Sequence, residues 1–297
     1  MKKHIGIIGL GDMGFSMAQN ILKAGYQLTG FDLREERLEM LEALGGKRAS
    51  SPAEVGEVAD AVFIMVMTGK QAESIVSGEN GLMKTMNPGK TILLTATIEP
   101  HEARSIGKTV AKKGVHLIDA PVSGGQNGAE SGTLALMAAA DKKVWDENLD
   151  LMKAVGENIF HVGEEIGIGQ TVKASLQALI GCTFTAIFES LVLGSKAGVS
   201  GKVLYEVFSA SGVSIPLFKN CAKLIMDRKF KDTGSQIGTM YKDLGITMDL
   251  ARQNGVPMFT TAAAQQLFQS GISKFPEEDN WTITKVLEEI AGTEVKW

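Results

Sequence analysis

Three glycines near the start of this 297-residue chain limit its fold more than any other feature. Ile5 to Ile8 is a short β-branched run, Gly9-Leu10-Gly11-Asp12-Met13-Gly14 comes next, and a helical pattern then runs through Ala24 and stops at Gly25. A strand that turns through G-x-G-x-x-G into a helix is the opening unit of a dinucleotide-binding sheet. The first glycine permits the tight turn, the second lets the backbone approach a pyrophosphate, and the third lets helix and strand pack closely. The free N–H groups at the helix start then face the anion. Gly9, Leu10, Gly11, Asp12, Met13 and Gly14 are therefore candidate cofactor contacts.

The next segments fit a doubly wound sheet. Gln27 to Phe31 reads as a second strand, closed by Asp32 about 20 residues from the glycines, where an acid bonds the adenosine ribose and repels a 2′-phosphate. That favours NAD over NADP. The alternatives are an Asp32 that caps the next helix and an NADP site built on nearby Arg34. Ala61 to Met67 and Thr91 to Thr95 are continuous apolar or β-branched runs, as expected of parallel strands buried on both faces. Met67, Thr68 and Thr97 fall at the carboxyl ends of these strands, where open α/β sheets bind ligands; the alternative for Thr68 and Thr97 is a loop residue with a satisfied hydroxyl. Val115 to Asp119 makes another strand and leads into a glycine-rich loop from Pro121 to Ala129. Such a loop can turn successive N–H groups towards an anion, with the Ser123 hydroxyl as a further donor. A plain turn is the alternative.

Thr133 to Ala139 is strand-like, Lys142 to Ala154 helical, and Asn158 to Val162 a last short strand. Beyond Gly163 the pattern is helical throughout: Gly169 to Gly198, then Lys202 to Ser211, Ile215 to Asp227, Ile237 to Gln253, Pro257 to Gln269 and Trp281 to Ala291. The expected organisation is an α/β domain over 1–163 and an all-α domain over 164–297. The first of these helices is proline-free and apolar on nearly every face, which marks a helix buried by its neighbours. At about 1.5 Å per residue it is roughly 40 Å long. A membrane span is the rival reading; Lys173, Gln177, Glu189 and Lys196 interrupt the segment and argue against it. Lys173 is the oddity, because a cation in the first turns opposes the positive end of the helix dipole.

Composition narrows the function classes. The net charge of -4 leaves no basic footprint for nucleic acid. Cys182 and Cys221 are too few and too far apart for a disulfide framework, and no His/Cys/Asp/Glu set has metal-ligand spacing. The opening MKKHIGIIGL reads as a strand rather than a signal peptide, so a cytoplasmic protein without a membrane segment is expected. His4, His101, His116 and His161 stand beside no complementary motif.

Four pieces occur in order: IGIIGLGDMGFSMAQNIL, DAPVSGGQNGAESGTL, GIGQTVK and Lys242-Asp243-Leu244-Gly245. Together they resemble the β-hydroxyacid dehydrogenase family, which includes 3-hydroxyisobutyrate dehydrogenase and tartronate semialdehyde reductase. The resemblance implies a Rossmann-type doubly wound parallel sheet that binds NAD, a long central helix, and an all-α domain for substrate and oligomerisation. It implies a homodimer or homotetramer acting on a small hydroxy acid. Position by position, Gly9, Gly11, Met13 and Gly14 match the cofactor loop and Asp32 the NAD-selecting position. Ser123, Gly124 and Gly125 match the substrate-carboxylate loop, Lys173 the catalytic lysine, and Lys242 a lysine that serves cofactor and substrate. Burial and the helix end would lower the pKa of Lys173 towards working pH, as a proton carrier needs.

The departures concern the pocket. Ala96-Thr97-Ile98 stands where many members have Ser-Thr-Ile, so only Thr97 can supply that hydroxyl. Gln177, on the same helical face as Lys173, stands where many have Asn, and Ser235 where members acting on small apolar acids often have Phe. Both resemble the L-threonate dehydrogenase branch and imply a polar pocket for a polyhydroxylated acid. Alternatives are 3-hydroxyisobutyrate oxidation, reduction of tartronate or another semialdehyde, and a cofactor-binding module without turnover, against which Ser123, Lys173 and Lys242 speak.

Overall fold

A computed structural model describes residues 2–297. The chain forms two compact units that meet in sequence at Lys173 and Ala174.

In the first unit strands and helices alternate. In order they are β1 (His4–Ile8), α1 (Asp12–Lys23), β2 (Gln27–Phe31), α2 (Glu35–Ala43), β3 (Lys47–Arg48), α3 (Pro52–Val58), β4 (Ala61–Ile64), α4 (Gly69–Ser77), β5 (Thr91–Leu94) and α5 (Pro100–Ala111). Then come β6 (His116–Asp119), β7 (Val122–Ser123), α6 (Gly125–Ser131), β8 (Leu134–Ala139), α7 (Lys142–Lys153), β9 (Gly156–Gly163) and α8 (Ile168–Lys196). The sheet order is β3-β2-β1-β4-β5-β6-β8-β7, with β9 paired to β8. From β3 to β6 every pairing is parallel, and the order reverses direction at β1, which leaves the crevice at the carboxyl ends of β1 and β4 that dinucleotide folds use. Helices cover both faces over two separate apolar cores, one around Ile5, Ile7 and Phe63, the other around Val62, Ile64 and Leu94. Adjacent residues of one strand thus enter different cores, which is why β4 and β5 read as unbroken apolar runs.

The structure departs from the sequence reading in several places. β8 runs antiparallel to both β6 and β7, so the sheet is mostly rather than wholly parallel. The strand expected over Ala61 to Met67 stops at Ile64, because the chain turns to bring the Met65 carbonyl against Gly9. The glycine-rich loop after β6 contains a helix, α6, whose Gly128 and Ala129 are buried. The two compact units meet inside α8, because the first turn of that helix is seated on the sheet: a Cβ on Gly169 would lie 2.5 Å from the carbonyls of both Asp119 and Met137.

Local signals fix the helix starts. Ser51 caps α3 ahead of Pro52, Thr68 and Gln71 form a reciprocal capping box on α4, and Asp141 accepts from the N–H groups of Lys143 and Val144 at α7.

The second unit is helical: the rest of α8, then α9 (Gly201–Ser209), α10 (Pro216–Met226), α11 (Ile237–Gln253), α12 (Phe259–Lys274) and α13 (Ile283–Ala291). Phe184, Ile187, Phe188, Leu191 and Val192 of α8 lie in its core with Phe218, Leu244, Phe268 and Trp281. The polar residues of α8 do not by themselves exclude a membrane span, as the sequence had suggested, since the helix reaches a mean hydropathy of 1.7 and is long enough to cross a bilayer. What covers its apolar face in the second unit is protein, and both cysteines of the unit are free.

Candidate active site

The three loop glycines have different reasons to be glycine. Gly9 has φ +91°, and a Cβ there would sit 2.1 Å from Met65 O; one on Gly14 would sit 1.9 Å from Gly9 O. Packing within the protein therefore fixes both. Gly11 is otherwise, because a Cβ there meets only the Arg34 guanidinium, at 3.8 Å. The space above it is open, as the approach of a pyrophosphate to bare backbone requires. Gly11 is also the N-cap of α1 and no side chain caps that helix, so the residues present fit a dinucleotide. Leu10 is buried in the core, Met13 packs against it, and Asp12 turns its carboxylate to Arg37 at 2.9 Å.

Asp32, just past β2, holds this loop. Its Oδ2 accepts from Leu10 N at 2.6 Å, and its Oδ1 from Arg34 N at 2.9 Å and Arg34 Nε at 3.2 Å. Burial pushes its carboxyl upward, but these donors outweigh burial and hold it below the ordinary carboxylate value. Asp32 does not cap α2, whose N-cap is Arg34 and which has no side-chain cap.

At the next strand ends, Met67 is exposed, and Thr68 Oγ1 is engaged with Gln71 N at 3.2 Å in the capping box. Thr97 is half-buried between the buried Ala96 and Ile98. After β7, Gly124 (φ +133°) and Gly125 (φ +61°) are both left-handed, a turn that side chains with a Cβ disfavour, and Ser123 is half-buried beside them. Asn20 of α1 donates to Ala129 O at 2.6 Å and so ties the cofactor helix to the helix after this turn.

Lys173 lies in the second turn of α8 and is only 6% exposed. One turn earlier, Asp119 Oδ2 accepts from Gly167 N at 2.8 Å and Gln170 N at 3.3 Å, and its Oδ1 from Gln170 Nε2 at 2.8 Å. Burial pushes the Asp119 carboxyl up to about 6 against the pull of these donors. Its position also answers the dipole difficulty, since an acid at the start of α8 offsets the positive end that Lys173 opposes.

In the second unit, Gln177 Nε2 donates to Asp243 Oδ2 at 2.6 Å and approaches Met240 Sδ at 4.0 Å. Lys242 Nζ is 2.9 Å from Asp243 Oδ1; the contact is an ion pair without hydrogen-bond alignment. A carboxylate can only accept, so Asp243 decides which end of the Gln177 amide faces it. Both N–H groups of Gln177 are thereby directed, and its carbonyl Oε1 has no partner among the described residues. Ser235 is already engaged: its Oγ accepts from Asn280 Nδ2 at 2.8 Å and its N–H donates to Asp279 at 3.2 Å. Tyr241 hydrogen-bonds to Gln269 and packs on the core.

The structure thus gathers Gly9 to Gly14 with Asp32 in the first unit, and Gln177 with Lys242 in the second. Sequence reasoning passed over Gln170 and Asp243. Each stands inside a motif already singled out, and the signal was a polar side chain at the start of an apolar helix and an acid beside a candidate lysine.

Residues 4–163 match the family described as the NAD binding domain of 6-phosphogluconate dehydrogenase, and residues 167–287 that described as NAD-binding of NADP-dependent 3-hydroxyisobutyrate dehydrogenase. The chain is 34% identical to the L-threonate dehydrogenase of Cupriavidus necator over 96% of each chain. It is 33% identical to the 2-(hydroxymethyl)glutarate dehydrogenase of Eubacterium barkeri, over 98% of this chain and 97% of that one. Among solved structures, 3-hydroxyisobutyrate dehydrogenase from Salmonella typhimurium is similar with a TM-score of 0.87 at 28% identity, over 96% of this chain and all of the other.

Proposed function

The chain belongs to the NAD-binding β-hydroxyacid dehydrogenase family, and from that premise we propose that it oxidises a small polyhydroxylated acid of the L-threonate kind, with NAD as its cofactor and Lys173 as the proton carrier. When bound, the nicotinamide supplies the hydride acceptor. The chain's own residues hold the acid, orient it and move the proton. Lys173 takes the hydroxyl proton as the carbonyl forms and returns it in the reverse direction, a role suited to a buried amine. Ser123 with the N–H groups of Gly124 and Gly125 holds the carboxylate, and Lys242 is a further residue for substrate and cofactor. Asp32 accepts from the adenosine ribose, while Met67, Thr68 and Thr97 line the cofactor. A homodimer or homotetramer in the cytoplasm completes the reading, and exposed apolar side chains such as Leu193 at 72% and Phe259 at 84% are ones a subunit interface would cover.

The observation that carries the substrate class is the polarity of Gln177. Asp243 and Met240 take its N–H groups, so the side chain offers a ligand an acceptor. An acceptor on a side chain only 5% exposed selects a partner that brings a donor, and a substrate hydroxyl beyond the reacting carbon is such a donor.

The test monitors nicotinamide absorbance with NAD and NADP against a panel of 3-hydroxy, 2-hydroxy and polyhydroxy acids and semialdehydes. A sugar acid such as L-threonate is expected to exceed 3-hydroxyisobutyrate in kcat/KM. A clear preference for the branched apolar acid rejects the polar pocket, turnover of semialdehydes alone reverses the direction, and NADP above NAD overturns the reading of Asp32.

A further inference from the structure

One buried side chain joins the loop after β5 to the first turn of α8. Gln170 Nε2 donates to Asp119 Oδ1 at 2.8 Å and to Ala96 O at 3.1 Å, while its Oε1 accepts from Ile98 N at 3.0 Å. Thr97 is the residue between the two backbone groups so gripped, and Lys173 stands three residues beyond Gln170 on the neighbouring flank of the helix. Asp119 accepts both an N–H from the turn before the helix and one from its first turn, so the anchor is itself bonded on both oxygens. An apolar side chain would fill the same space without the cost of burying an amide. What the amide adds is direction: its three bonds fix the rotation of the first turn of α8 and its distance from the β5 loop.

We propose that Gln170 is a positioning residue for the reaction, setting Lys173 and Thr97 in one frame with Asp119 as its anchor. This role rests on Lys173 being the proton carrier. Misplacement of a reacting group by about 1 Å can cost about a hundredfold in rate, so the frame is read in kcat.

The test is Gln170→Met, which keeps side-chain length and helix preference and removes all three bonds. With NAD and the best acid of the panel, kcat is expected to fall about 10- to 100-fold while both KM values change by less than about threefold. The limb of the kcat/KM profile that is lost in Lys173→Arg should move as well. A lowered melting temperature with kcat and that limb unchanged overturns the proposal, since Gln170 would then be packing alone. If the methionine variant does not fold, Gln170→Asn keeps an uncharged amide but shortens its reach by one methylene, and the same readings decide. A second measurement is independent of substrate: the titration of Lys173 Nζ by 15N-lysine NMR, assigned through Lys173→Arg. A midpoint displaced by Gln170→Met supports the frame even if the wild type oxidises no acid on the panel, and a coincident midpoint overturns it.

Discussion

Gln170 and Gln177 lie on either side of Lys173 in one helix, both buried, and they differ in what completes their bonding. The amide of Gln170 has protein partners at both ends, Asp119 and Ala96 for its N–H₂ and Ile98 for its carbonyl. The amide of Gln177 has them at one end, through Asp243 and Met240. The same side chain thus serves two purposes. An amide satisfied within the protein fixes where backbone lies, and an amide with one end left over is a place for something else to bind.

The experiment with the largest expected effect acts between the two. Lys173→Ala should lower NAD-linked kcat by about 10³-fold or more while circular dichroism shows an unchanged fold, in line with the contribution of a general acid or base. Undiminished turnover would leave both glutamines without the centre they flank.

Next is the anchor of Gln170. Burial raises the Asp119 carboxyl from 3.8 to about 6 in the folded chain, so the folded state holds its proton more tightly than the unfolded one. The stabilising contribution is therefore complete below about pH 4 and is lost as pH rises towards about 6, with an amplitude of about 3 kcal/mol. Urea midpoints of the wild type and Asp119→Asn, compared from pH 4 to 7, should show the wild type losing ground as pH rises. The opposite slope would mean that the N–H donors outweigh burial.

Replacing each glutamine by methionine compares them directly. Gln170→Met leaves a carboxylate oxygen, an N–H and a carbonyl without partners and should cost about 3 kcal/mol, whereas Gln177→Met leaves only one oxygen of Asp243 short of a donor and should cost about 1 kcal/mol. Equal losses in urea would erase the distinction. The smallest effect sharpens it from the other side. Gln177→Met should reduce the kcat/KM preference for a sugar acid over 3-hydroxyisobutyrate by about tenfold, the worth of one hydrogen bond to a buried acceptor. An unchanged preference would place substrate recognition elsewhere.

Local sequence foretold much of this molecule, and what it missed has a common cause. The alternation of apolar strands with helices, the tight turn at Gly9, the close packing at Gly14 and the long buried helix were all legible from neighbouring residues. The helix at Gly125 to Ser131 was not, because its glycines argue for a loop and the group that holds it, Asn20, lies 109 residues from Ala129. The polarity of Gln177 depends on Asp243, 66 residues away, and the anchoring of Gln170 on Asp119, 51 residues before it. Even the early end of β4 comes from contact with Gly9. Periodicity reports which face of an element is buried; it carries no information on which distant polar atom completes a bond.

The place of β1 in the sheet has a consequence for synthesis. This strand leaves the ribosome before every other strand, yet it sits between β2 and β4, and its second neighbour is complete only when Ile64 has emerged. Until then Ile5, Ile7 and Ile8, which end up almost wholly buried, belong to a nascent segment with an unpaired edge. The growing chain must keep this apolar strand from other partners while it waits, so a strand made ahead of its second neighbour is the one in need of protection during translation.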